Sequence, residues 1–146
     1  MEVEIKIDPT CKTPKIIIAA ENITDEVKAL AEKLSAEGLR SISGFKDNTA
    51  RLLEPEEIVR IYSCGGKIVA VTDSGEFFLR RRLYELEELL EGKKFVRISN
   101  SELVNLKRVK EFDLSAAGTI CVSLSNSDVT YVSRRYVVKI KKILGI

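Results

Sequence analysis

The 146-residue chain has no histidine, no tryptophan, one methionine, three prolines and three cysteines. Each shortage closes a class of function. Without histidine, no side chain has an ordinary pKa suited to exchanging protons near neutral pH, and no imidazole is there to ligate a metal. Cys11, Cys64 and Cys121 are far apart in the chain and form no CxxC pair. Neither a zinc site nor a disulfide framework is therefore expected, and reduced thiols are. Cys64, beside Gly65-Gly66, is the thiol whose reactivity is worth assaying. The acidic pairs Glu56-Glu57 and Glu87-Glu88 read as solvated faces, because a carboxylate acid/base dyad needs burial to shift a pKa. No phosphate-cradling or dinucleotide glycine pattern is present. The chain is expected to be neither an enzyme nor the holder of a cofactor. No apolar run approaches the ~20 residues that span a bilayer, and Met1-Glu2-Val3-Glu4 does not lead a basic segment into an apolar one. A cytoplasmic location is expected.

What is present is globular: 45% of residues are apolar and 32% charged, a balance outside the disordered and membrane ranges. The formal charge of +2 hides an asymmetry. Residues 1–92 hold 13 Lys and Arg against 18 Asp and Glu, a net of −5, whereas residues 93–146 hold 11 against 4, a net of +7. A basic final third fits a polyanionic partner, whose condensed counterions lysine and arginine release.

Along the chain, Val3, Ile5 and Ile7 alternate with charged residues as in a half-buried strand, which Asp8-Pro9 ends. Lys15–Ala19 reads as a better-buried strand. Thr24 caps a predicted helix reaching Glu37, with Val27, Leu30, Ala31 and Leu34 at helical spacing. A further strand is expected near Leu39 to Phe45, which makes residues 1–46 a small β-β-α-β appendage. The polar cluster Lys46-Asp47-Asn48-Thr49 marks the expected boundary with a second domain, residues 47–146. There, short strands recur at Ala50–Leu53, Ile58–Tyr62, Lys67–Thr72 and Phe77–Arg80, and again at Lys110–Leu114, Thr119–Leu124 and Val129–Val132. Glycine- and Asx-rich turns between them imply antiparallel pairing, so the predicted class is mainly β (α+β). One helix interrupts at Leu83–Glu91, and Ser133 caps a last one carrying Val137, Ile140 and Ile143 on one side.

The central stretch is Phe95 to Val109, F-V-R-I-S-N-S-E-L-V-N-L-K-R-V. A strand through Phe95, Val96 and Ile98 delivers the polar loop Ser99-Asn100-Ser101. Leu103-Val104, Asn105 and the basic pair Lys107-Arg108 follow. Polar edges flanked by positive charge suit duplex DNA. The F-V-R-I-x-x-S-x-x-V-N-L pattern is similar to the signature of LytTR-type DNA-binding domains of bacterial transcription regulators. The leucine-rich helix Leu83–Leu90 before it and Val132-Ser133-Arg134-Arg135-Tyr136 after it keep the family's order over the last two-thirds of the chain.

The resemblance implies an elongated stack of antiparallel sheets that binds double-stranded DNA as a homodimer on paired sites. Loops rather than a helix-turn-helix would enter successive major grooves. Three loops align with that role. In the first, Gly66 stands where other members often place a histidine, and Lys67 is the candidate phosphate contact; the alternative is a solvated strand-start lysine. In the second, Asn100 and Ser101 are the candidates, with Asn100 able to read an adenine edge; the alternative is an Asx turn. Arg97 and Asn105 are expected to be scaffold. In the third, Arg134 and Arg135 open the final helix, and Arg135 is favoured for a base contact; the alternative is a surface salt bridge. Lys107 and Arg108 are further candidate phosphate contacts. Arg80-Arg81-Arg82 is expected to pair with Glu85, Glu87 or Glu88. The appendage is too short for a phospho-receiver domain. Dimerisation, an effector, or a membrane protein that holds some stand-alone members are its candidate roles. A protein-interaction or ligand-sensing module with weakened DNA binding is the rival reading.

Overall fold

A computed structural model describes residues 1–38 and 42–146, which divide into two compact units, one ending at Leu39 and one beginning at Arg40. In the first unit, Thr24 caps helix α1 (Asp25–Gly38) as its sequence implies: its hydroxyl accepts from the Val27 N–H at 3.2 Å. Residues 1–24 carry no strand, and Val3, Ile5, Ile7, Ile16 and Ile17 are exposed. The alternation there matches a strand, but a lone segment without a ladder partner gains nothing from it.

The second unit holds ten strands in two antiparallel sheets. Strands β1 (Ile42–Lys46), β2 (Thr49–Leu53), β3 (Ile58–Cys64), β4 (Lys67–Thr72), β5 (Gly75–Leu79), β6 (Phe95–Ser99) and β7 (Glu102–Asn105) form one, in the order β2-β1-β5-β4-β3-β7-β6. Strands β8 (Val109–Asp113), β9 (Ile120–Leu124) and β10 (Val129–Val132) form the other. Helix α2 (Leu83–Leu89) joins β5 to β6, and helix α3 (Arg134–Leu144) follows β10. The mainly β reading holds, with the strands expected between Ala50 and Val132 found within a residue or two.

The strand expected near Leu39 to Phe45 is β1; its first expected residues, Leu39, Arg40 and Ser41, lie outside the described ones. Rather than belonging to an appendage, β1 pairs with β2 and β5. Lys46-Asp47-Asn48-Thr49, read from sequence as a boundary, is therefore a hairpin turn, with Asp47 at φ 53°. Asx residues tolerate that left-handed geometry.

Two cores lie on opposite faces of the large sheet. Alternation, shifted in β3 by a bulge between Ile58 and Arg60, sends Ile58 and Ile61 of β3 and Leu103 of β7 into one, with Leu53, Phe77, Leu83, Leu86 and Leu90. Val59 and Val104 enter the other, with Val96, Ile98, Ile120, Val122, Leu124, Val132 and Ile140. Asn105 ends β7 at 1% exposure. Its amide donates to the Ile58 carbonyl at 2.9 Å and its Oδ1 accepts from the Lys107 N–H at 3.0 Å, capping the 3-10 turn Leu106–Arg108. This is the scaffold role expected of it.

Asn105→Ala leaves a buried carbonyl without its donor and the turn without its cap. Urea unfolding should show a loss of about 1–3 kcal/mol; an unchanged midpoint would mean water takes over both bonds.

Candidate nucleic-acid interface

Three loops meet at one end of the large sheet. The first closes the β3–β4 hairpin with Gly65 and Gly66, at φ 57° and 79°. Two consecutive left-handed residues give the turn whose twist matches the strands, and only glycine adopts them without strain. Lys67 follows, exposed, with Nζ 5.1 Å from the centre of the Phe78 ring.

The second loop, Ser99-Asn100-Ser101, is shaped by Arg97. Its Nε donates to the Ser99 carbonyl at 2.8 Å and one terminal nitrogen to the Asn100 carbonyl at 2.6 Å. The other terminal nitrogen pairs with Glu87 of α2 at 2.7 Å. The Ser99 hydroxyl accepts from the Ser101 N–H at 3.2 Å. Arg97 thus has the scaffold role expected of it.

The third loop is the entry to α3, whose first two residues are Arg134 and Arg135. Two bonds tie it to β6 and to the second loop: the Ser133 N–H donates to the Ile98 carbonyl of β6 at 2.9 Å, and the Tyr136 hydroxyl donates to Asn100 Oδ1 at 3.1 Å. The first and second are tied by the Ser63 N–H, which donates to the Ser101 carbonyl at 2.8 Å. Lys67, Asn100, Ser101, Arg134 and Arg135 are therefore brought to one end, and all are exposed.

Asn100 does not use its side chain for a local Asx turn; the oxygen goes to Tyr136 instead. Among the described residues, its amide nitrogen donates to no protein acceptor, and no carboxylate lies within 4.0 Å of Arg134 or Arg135. Among the described residues, the surface salt bridge weighed for those arginines is thus not made. The Arg134 guanidinium lies beside Gly118, where an added Cβ would stand 3.4 Å from its Nε.

Lys107 and Arg108 lie elsewhere. They follow the far end of β7, about 10 Å along the strand at ~3.3 Å per residue. Lys107 is exposed. Arg108 is turned into its own chain: one terminal nitrogen donates to both Asp73 oxygens at 2.6 Å and the Nε to Ser125 Oγ at 2.8 Å. Its side chain is 20% exposed, and its donors are engaged by the turns around it.

Sequence reasoning missed the polar tie between the sheets. Arg60 on β3 reaches Glu102 Oε2 and Asp128 Oδ2, each at 3.2 Å, and the Thr130 hydroxyl donates to Glu102 Oε1 at 2.8 Å. Its partners lie 42 and 68 residues from Arg60, beyond any local pattern. Tyr136 was legible as part of a motif but not as the anchor of Asn100.

Comparison with known proteins decides the family. The family model described as the LytTr DNA-binding domain matches residues 48–145. The chain belongs to the LytTR family. It is 30% identical over 132 residues, 90% of its length and 89% of theirs, to proteins of Staphylococcus aureus strains NCTC 8325 and COL. Each of these is named an uncharacterized HTH-type transcriptional regulator. A solved LytTr DNA-binding domain from Bacillus cereus shares its fold with TM-score 0.69 and 20% identity, covering 73% of this chain and 98% of that one. LytTR is a family of DNA-binding domains and not of enzymes. In this LytTR chain α2 and α3 are separated by strands β6 to β10, so they do not form a helix-turn-helix pair.

Arg97→Ala should free the Ser99–Ser101 loop, with faster amide exchange at Ser101 and a stability loss of about 1–3 kcal/mol, since two carbonyls and Glu87 lose a charged donor. Unaltered exchange would show that the loop holds its own shape.

Proposed function

We propose that this LytTR chain is a sequence-specific transcription regulator, acting in the cytoplasm as a homodimer on paired DNA sites, with its three loops entering successive major grooves. The observation that carries the reading is the set of cross-tied loops holding Asn100, with its free amide donors, beside an unneutralised Arg135. An amide that donates and accepts suits an adenine edge, and a guanidinium suits guanine O6 and N7. Lys67, Ser101 and Arg134 surround them as phosphate contacts. Lys107 is left for backbone contact at the far end, and Arg108 is given a structural role. The transcriptional-regulator names of the staphylococcal relatives support the regulatory part of the reading. The segment before the LytTR domain serves dimerisation or a partner, with a membrane protein among the candidates.

Selection of bound duplexes from genomic fragments, followed by footprinting, should return two half-sites at fixed spacing. Asn100→Ala and Arg135→Ala should each relax preference at one position per half-site and cost about 1–3 kcal/mol on the selected duplex. Equal affinity for all duplexes, untouched by either change, would overturn the reading in favour of a protein-interaction module.

The chain has no histidine, the side chain that ordinarily gains charge between pH 6 and 7.5. The affinity for the selected duplex should therefore change by less than about twofold across that range, as fluorescence anisotropy would show. A steep gain on acidification would implicate a carboxylate in opposing the duplex.

A further inference from the structure

The turn between β5 and α2 carries Arg80, Arg81 and Arg82, all exposed. None of their expected partners Glu85, Glu87 and Glu88 forms an ion pair with them. Glu87 pairs with Arg97, and Glu85 Oε1 accepts the backbone N–H of Arg82 at 3.2 Å, which fixes the turn without neutralising its charge. Among the described residues no carboxylate comes within 4.0 Å of the three guanidinium groups. The pairing read from sequence is thus not made.

The chain instead lays its cations on aromatic rings. The Arg80 guanidinium carbon is 4.0 Å from the centre of the Phe45 ring, and Lys67 lies over Phe78. Such contacts orient a positive charge while leaving it uncancelled. Between these groups runs an open cleft of about 660 Å³ lined by Lys67, Arg80, Arg81 and Arg82, with no acidic residue in its lining. Asn100 and Ser63 form part of its wall, so it is continuous with the loops that carry the proposed readout.

Four cations around one open cleft, held apart by ring stacking and a fixed turn, make a surface for a run of phosphodiesters and not for bases. We infer that the Arg80–Arg82 turn and Lys67 form a second, sequence-independent contact on the duplex, gripping the phosphate backbone beside the groove that Asn100 enters. This rests on the DNA-binding reading above. It adds that part of the affinity comes from the acidic two-thirds of the chain, where net charge alone would not place it.

The test is a salt titration of the full chain with its selected duplex and a scrambled one, comparing wild type with an Arg81→Gln/Arg82→Gln double variant. Each phosphate contact removed should lower the slope of log affinity against log salt by ~0.9. The double variant should therefore lose about 1.8 from the slope per protomer, about 3.6 for a bound dimer, and at least tenfold in affinity near 0.1 M salt, equally on both duplexes. The charge-keeping Arg81→Lys/Arg82→Lys variant should retain most of the slope, and the melting temperature of all three proteins should agree. An unchanged slope, or a loss confined to the selected duplex, overturns the inference. Failure of the wild type to discriminate between the duplexes overturns the sequence-specific reading instead, and shows before any variant is made.

Discussion

The architecture depends on two strands that have no free face. In β3 and β7 successive residues must enter different cores, Ile58 against Val59 and Leu103 against Val104, because one core lies on each side of the sheet. A register slip of one residue in either strand would exchange every side chain between cores of different shape, so pairing is fixed by packing and not by turns alone. The loop end of the sheet inherits that register: Ser63 lies one residue before the end of β3, Ser101 directly precedes β7, and the bond between them sets the first two loops side by side. Arg60 and Glu102, on the same two strands, then fix the small sheet through Asp128 and Thr130. A buried ionic tie of this kind contributes little net stability but penalises wrong docking, since misplacement would leave a carboxylate 8% exposed and unpaired.

Much of this was legible. Period-2 alternation located most strands, turn chemistry separated them, Thr24 and Ser133 marked helix starts, and the F-V-R-I-x-x-S-x-x-V-N-L pattern pointed to the family. The errors share one cause. Val3 to Ile7 and Lys15 to Ala19 have strand-like patterns, yet a strand exists only with a partner to bond, and sequence does not name the partner. Ile42 to Lys46 has a weak pattern but finds neighbours on both sides, and so joins the large sheet.

The charged residues show the same limit more sharply. Arg80 to Arg82 sit among acids in sequence, yet among the described residues their guanidinium groups form no ion pair, while Arg108 sits among basic neighbours and is claimed by Asp73, 35 residues away. Whether a cation is spent or available is decided by tertiary neighbours, which composition and net charge do not encode. The split of net charge between residues 1–92 and 93–146 therefore points to the final third and away from a basic cleft in the acidic part.

The hydrogen bond from Tyr136 to Asn100, with the backbone ties around it, has a mechanical consequence. Loops joined to one another and to the sheet have little room to re-aim and little conformational entropy to lose. On the proposed DNA-binding reading, a duplex meeting them would supply the accommodation itself, by bending or by changing its groove width, and sequences that deform readily would be favoured at positions no side chain touches.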